Sequence, residues 1–397
     1  MMTNLINNLG EELILAVVGA VFGALCTYIG FMGKRIIQMI RHHKHIKKMK
    51  TTDFLFDENL NIFTLENAVP KYKRVEIEAS DKKFFISFPE EKKHLLSREI
   101  KFHDGNCSFD GSSSFQDLSS QTGIYDLEPL INQKREIVAE DLIHKRNGCM
   151  FNEVKYGVYD VIIGERVGDD EEPIAKIITF ETDFFTFRVM NLVFQDLKQR
   201  NHDIARVSSM ADFRKYNCFS CAIGLHTIIG IDSERFGQED LIISKRSNNT
   251  IDYHNKYHIS VSEGMCLQDY NPSTGRVQLH NCLYRGIEEE LGILREDYME
   301  YNAEFAYWDI LLNRDTYDFE ISCYIRFKKL YFRDVQAKMG KDKTFEVSRF
   351  ETVPANKKAI EEFIEEHDFM PQGLYILNSF AIRRFGSAIR VPKKKKN

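Results

Sequence analysis

Arg285-Gly-Ile-Glu-Glu-Glu-Leu-Gly-Ile293 is the stretch on which the reading of this chain turns. On a helix, residues three and four apart share a face, so position 286 stands one turn below Glu289 and Glu290. Arg285, four residues before Glu289, is placed to hold that carboxylate as an ion pair. Gly292 follows the last turn, where a left-handed residue is usually glycine, and marks a helix stop. Carboxylates gathered on one face form a hard-oxygen site for Mg²⁺, which would bridge and neutralise diphosphate oxygens. The same letters also describe a solvated helix face with one Arg–Glu pair, so the flanking sequence has to decide.

Working outward, Tyr257-His-Ile-Ser-Val-Ser262 reads as a strand leading into Glu263-Gly264-Met265. Asn271-Pro-Ser-Thr-Gly275 is turn-rich and reads as an insertion in the loop before the helix. Asp240–Arg246 and Asp318–Phe327 read as strands, and 356–367 as a last helix. Farther upstream, 75–79, 83–88, 156–164 and 176–187 have strand character, and 106–122 is a serine- and glycine-rich loop. Asp183, with aromatic neighbours, either lines a pocket or sits in the core. Cys218 and Cys221 form the only close cysteine pair and lack zinc spacing, which fits buried thiols in a reducing compartment.

At the other end, Leu13–Gly33 carries no charge, and about 20 such residues cross a bilayer core. Seven lysines and arginines follow between Lys34 and Lys50 without an acid, which places that flank in the cytoplasm. The expectation is a single-pass anchor in contact with membrane lipid, in which Gly19 and Gly23 form a small-residue face for self-association. Despite the basic flank and the closing Lys393–Lys396, the net charge is −5, which excludes a general nucleic-acid binder.

The stretch 285–293, with Glu263-Gly264 before it, resembles the Nudix box, Arg-Glu-U-x-Glu-Glu-x-Gly-U, where U is aliphatic. Arg285, Ile287, Glu289, Glu290, Gly292 and Ile293 fit, while Gly286 stands where the first glutamate belongs. The resemblance implies an α/β fold: a single N-terminal transmembrane helix, a strand-rich middle region and a C-terminal Nudix-like α/β/α sandwich. The implied units are an external tail and membrane helix (1–33), a basic segment (34–50), a strand-containing region (51–205), a Nudix-like domain (206–385) and a basic tail (386–397). Implied site residues are Glu289 and Glu290 for Mg²⁺, the same two with Glu346 as catalytic residues if the box is active, and Arg246, Gly264 and Arg285 for ligand.

Together with the membrane segment, Ser262–Met265 and the box look like the SMODS-associated Nudix effectors of CBASS, the bacterial cyclic-oligonucleotide anti-phage systems. That resemblance implies an inner-membrane, homo-oligomeric effector with a cytoplasmic body. It would sense a cyclic oligonucleotide second messenger and breach the membrane in abortive infection, with no stable polynucleotide partner. The alternative is a membrane-tethered Nudix hydrolase of a nucleoside-diphosphate-linked substrate.

Overall fold

The computed structural model describes residues 60–66, 75–96, 100–103, 109, 115–144, 152–165, 174–235, 237–248, 253–338, 340 and 347–390. Their architecture is α/β and is organised around two sheets. Its strands are β1 (Ile62–Glu66), β2 (Val75–Lys83), β3 (Val154–Glu165), β4 (Ile174–Asp183), β5 (Ile223–Asp232), β6 (Glu239–Arg246) and β7 (Tyr257–Ile259). After these come β8 (Val261–Gly264), β9 (Tyr270–Asn271), β10 (Arg276–Val277), β11 (Glu304–Asn313), β12 (Asp318–Arg326) and β13 (Val347–Pro354). Helices are α1 (Phe115–Thr122), α2 (Leu127–His144), α3 (Phe184–Gln199), α4 (Met210–Lys215) and α5 (Leu279–Leu291). The remainder are α6 (Asp297–Glu300), α7 (Phe332–Ala337), α8 (Lys357–Glu366) and α9 (Pro371–Phe385).

The larger sheet runs β1-β11-β12-β5-β6-β13, with β7 added to β6 and β8 to β5. β5 and β6 pair only over Ile229–Asp232 and Glu239–Ile242. Beyond that point they diverge, and the run from Tyr257 to Gly264 enters the gap, first against β6 and then against β5. Ser260 sits at the fork: its hydroxyl accepts from Ile229 N (2.7 Å) and donates to Ile242 O (2.6 Å). A side chain thereby satisfies backbone groups that the splitting ladder would leave bare in the interior. The fork opens a crevice at the end of the sheet, and the candidate site lies there.

One face of this sheet, through Leu225, Ile229, Ile242 and Val261, packs on Leu283 and Ile287 of α5 and continues into the upstream half. The other, through Ile228, Leu241 and Ile243, packs on Ile360 and Ile364 of α8 and on Ile376 and Phe380 of α9. The alternation of the two sets along β5 and β6 is the period of two that buries both faces of a strand.

The smaller sheet runs β3-β4-β2-β10-β9 and receives elements from both halves of the sequence. The turn-rich 271–275 insertion forms the tip of the β9–β10 hairpin. Asn271 Oδ1 accepts from Ser273 N (3.0 Å), and Gly275 turns the chain at φ 65°. β10 then pairs antiparallel with β2, and Arg276 forms an ion pair with Glu76 (3.0 Å). In exchange, β1 from the upstream half pairs with β11.

Among the described residues no helix is long and apolar enough to cross a membrane. The expected single transmembrane helix, and the inner-membrane localisation drawn from it, are corrected accordingly. The longest described helix, α2, interleaves Lys134, Arg135, Glu136, Glu140 and Asp141 with its buried Leu130, Ile131, Val138 and Leu142. It is a helix of a protein core with a wet side. Residues 13–33, on which the membrane reading fell, and the basic segment 34–50 lie outside the described residues.

A second difference concerns 176–187. β4 ends at Asp183, whose carboxylate accepts from Thr186 N (2.8 Å) and caps α3. An aspartate before an apolar run is a helix-start signal, and it overrides the strand character of the flanking aromatics. Asn152 holds the same carboxylate (2.9 Å) and accepts from Phe185 N (2.8 Å). Burial pushes the Asp183 carboxyl up, against those hydrogen bonds.

Candidate functional site

α5 carries the 285–293 stretch and ends at Gly292, whose φ of 71° is left-handed. Arg285 is the centre of its local chemistry. The guanidinium donates to Glu263 Oε1 (2.6 Å), Gly264 O (2.8 Å) and Asp269 Oδ2 (2.8 Å), and Glu289 Oε2 lies at 3.8 Å. Burial opposes the charge on Arg285, but the surrounding carboxylates outweigh it and hold the group protonated. Burial likewise pushes the Glu263 carboxyl up, with Arg285 and Lys155 pulling against it. Asp269 also accepts from Cys266 N (3.0 Å), so the arginine ties the loop after β8 to the helix.

Glu290 is buried, and its Oε1 accepts from Ser262 N (2.9 Å). Glu289 is part-exposed beside Arg285. Gly286 faces β8: a Cβ there would lie 2.7 Å from Glu263 Cβ and 3.0 Å from Val261 Cγ1. The position therefore lacks room for any side chain, and the missing carboxylate is a packing feature as much as a chemical one. Among the described residues no group of three or more His, Cys, Asp or Glu could hold a metal ion. Glu263 and Asp269 are committed to Arg285 and one oxygen of Glu290 to backbone, which is a poor fit to Mg²⁺ at this helix. Glu346 lies outside the described residues.

The other expected ligand residues, Arg246 and Gly264, meet in a cavity of about 240 Å³ at the open end of the β5–β6 fork. Arg285 is not part of its wall but holds Gly264 and Glu263, which are. The upstream half contributes Lys155 from β3 and Phe184 and Phe187 from α3; the loop before β7 contributes Tyr253. Phe184 and Phe187 lie 6.1 Å apart by ring centroids. Asp183 thus acts on the cavity indirectly, by starting the helix that brings these two rings in. Arg246 is part-buried and its Nε has no hydrogen-bond partner among the described residues.

The floor of the cavity is polar. Gln372, at the start of α9, donates through Nε2 to Glu320 Oε1 on β12 (3.1 Å). His226 Nε2 on β5 lies 3.6 Å from the same oxygen, and His226 Nδ1 shares a hydrogen bond with His258 Nε2 on β7 (3.1 Å). Burial, with His226 and Arg246 nearby, pushes His258 well below the usual imidazole value, so it is neutral. With His258 neutral, the His226 ring links it to Glu320 through its two nitrogens, and His258 Nδ1 has no hydrogen-bond partner among the described residues. Lys155, Phe184, Phe187, His226, Glu320 and Gln372 come from five elements and were not singled out by any motif. The one local signal was the capping aspartate ahead of Phe184 and Phe187.

No family model matches the chain, and no curated protein matches it. Among solved structures the neighbours are Nudix and MutT family proteins. One is the Deinococcus radiodurans protein DR0079, at 12% identity and TM-score 0.27, covering 39% of this chain and 81% of that one. Another is the Nudix domain of Shewanella oneidensis NrtR complexed with ADP ribose, at 11% identity and TM-score 0.25, covering 41% and 86%. A third is a MutT/Nudix family protein from Listeria innocua, at 12% identity and TM-score 0.27, covering 40% and 90%. A likeness this partial decides nothing about activity.

Proposed function

We propose that the chain is a nucleotide receptor built on a Nudix-like half, and that its ligand is a cyclic oligonucleotide of CBASS-type anti-phage signalling. The observation that carries nucleotide binding is the cavity, where Arg246 and Lys155 offer positive charge beside Phe184, Phe187 and Tyr253. Cations that meet phosphate and rings that stack on a base are the two elements of recognition for a single-stranded nucleotide. Support for a receptor over a catalyst comes from α5, where Arg285 engages Glu263 and Asp269 and Gly286 leaves no room for a further carboxylate. The cyclic-oligonucleotide assignment rests on the resemblance of Ser262–Met265 and Arg285–Ile293 to SMODS-associated Nudix domains. A cavity of about 240 Å³ is below the roughly 300–1,000 Å³ of sites for drug-sized ligands. It takes one nucleotide unit, with the rest of a cyclic ligand at its mouth.

Isothermal titration of the full chain with a panel of cyclic di- and trinucleotides tests this reading, with chromatography of each ligand after incubation with Mg²⁺. Binding with the ligand recovered intact, weakened at least about tenfold by Arg246→Ala through loss of a charge-assisted contact, is the expected result. A second reading, a hydrolase of a nucleoside-diphosphate compound, is favoured by the survival of Glu289 and Glu290 on one helix. Mg²⁺-dependent cleavage of ADP-ribose or NAD by the native chain, abolished by Glu290→Gln, would replace the receptor reading with it.

A further inference from the structure

Gly224 on β5 and Gly264 on β8 are register partners in an antiparallel ladder, and both line the cavity. Partners across such a ladder carry their side-chain positions on one face, about 5 Å apart. Here that face is bare at two adjacent places. A Cβ on Gly224 would meet His226 Nε2 (3.1 Å), and one on Gly264 would meet Lys155 Nζ (3.6 Å). His226 and Lys155 are themselves cavity residues, so both bare positions look into the cavity. They are also open to it: Gly224 and Gly264 are part-exposed, whereas Leu225 to Ile231 of the same strand β5 are buried.

Neither backbone conformation nor packing accounts for these two glycines. Every other described glycine has a positive φ or a neighbouring atom within 2.8 Å of its Cβ position. Gly224 and Gly264 have neither. Chain neighbours aside, the tip of Lys155 is the only described atom within 4 Å of the Gly264 position. Glycine weakens a strand, and inside one it marks a place where a ligand or another backbone comes close. The atoms nearest these positions are the ends of the His226 and Lys155 side chains, not backbone, which leaves the ligand.

We infer that Gly224 and Gly264 form a flat platform on which the base of the nucleotide lies, its face against the two bare strands. This rests on the nucleotide reading above and adds to it the place of the base. Phosphate is held by donors and a sugar by its hydroxyls, and neither needs a flat floor. A planar ring does, because dispersion contact over its face is lost once a side chain holds it off by a fraction of an ångström.

The test is titration of the full native chain and of Gly264→Ala with cyclic di-GMP and cyclic di-AMP, with ribose 5-phosphate as the probe that lacks a base. Alanine suits both the extended backbone and the open space, so Gly264→Ala should melt no lower than the native chain. Its methyl group would lift a ring from the sheet, and dinucleotide affinity should fall on the order of 10- to 100-fold, with binding of ribose 5-phosphate unchanged. Gly224→Ala should give a similar loss, and Gly264→Val a larger one. Native affinity for both dinucleotides in a folded Gly264→Ala chain overturns the inference while leaving a nucleotide receptor standing. So does an equal loss for ribose 5-phosphate, which would put sugar and phosphate on the glycines. So does a lowered melting temperature, which would mean that the position is already filled by protein. If the sugar phosphate binds too weakly to read, the dinucleotide and melting results decide between them. Failure of both dinucleotides to bind the native chain sinks the receptor reading itself, and the platform with it.

Discussion

The 285–293 helix and the floor of the cavity are both buried polar clusters in the same half of the molecule, and they differ in what they adjoin: one ties a loop to a helix, and the residues of the other line a cavity. Around Arg285, Glu263 and Asp269 hold the guanidinium and Glu290 holds a backbone N–H, while Asp269 Oδ1 and Arg285 Nε have no hydrogen-bond partner among the described residues. On the floor, the Glu320 carboxylate and the Gln372 amide likewise each keep one oxygen unpaired among the described residues. Unpaired buried atoms are common to both clusters; what separates them is the ion pairing of Arg285 on one side and the adjoining cavity on the other. The segment that looks most like a catalytic signature is therefore the better candidate for scaffold. The segment without a signature is the better candidate for recognition.

Breaking the ion cluster around Arg285 should have the largest effect. Arg285→Ala strands Glu263 and Asp269, the latter almost fully buried, and removal of one partner from a buried ion cluster costs about 3–5 kcal/mol. Urea denaturation would show it as a lower midpoint with an unchanged slope. A loss below about 1 kcal/mol would mean that the cluster is solvated and the contrast with the cavity is false.

Gly286 sharpens the same comparison. With Glu263 Cβ at 2.7 Å from a would-be Cβ, Gly286→Ala should cost about 1–3 kcal/mol by overpacking. Gly286→Glu should cost more and yield no Mg²⁺-dependent turnover. If Gly286→Glu melts like the native protein and hydrolyses a dinucleotide, the glycine is a lost catalytic position and not a packing requirement.

On the cavity side, Phe187→Ala should leave the thermal midpoint within a few degrees and weaken nucleotide binding by about 10-fold, the loss of one stacking contact. Titration calorimetry reads both the affinity and, through the native chain as control, whether stacking is involved.

The smallest effect is a dependence of stability on pH. His258 is held neutral, with its pKa depressed from the ordinary 6.5 by burial. The unfolded chain takes up a proton below that value and the folded chain does not. The contribution is therefore present above pH 6.5 and is lost as pH falls from 6.5 toward the depressed folded value, by about 1 kcal/mol over the first unit. His258→Gln should remove that slope, whatever it does to stability at neutral pH. An unchanged slope between pH 6.5 and 5.5 would place the protonation elsewhere.

Much of the local structure was legible in the residues themselves. Asp240–Arg246 and Asp318–Phe327 are strands within a residue of their sequence limits, α8 begins at its Asn356 cap, and Gly292 stops α5 in a left-handed turn. These are matters of period and of single-residue backbone preference, which a short window contains. The Asp183 cap was equally local, but the aromatic residues around it have strand character and hid it.

What the chain could not reveal by itself was how its distant pieces meet. The turn at 271–275 is plain in the sequence, yet only the fold shows the hairpin completing the sheet of β2, and β1 doing the reverse for β11. The vacant look of Gly286 as a lost carboxylate became a steric fact once β8 was seen against it. Nor does any window relate Lys155 and Phe187 to His226, Glu320 and Gln372. Strand pairing and helix packing bring them to one fork, because backbone hydrogen bonds and apolar faces, not the polar side chains, determine which elements lie together. Hydrophobic period and turn chemistry determined the elements; the tertiary structure alone decided which polar groups meet at the fork.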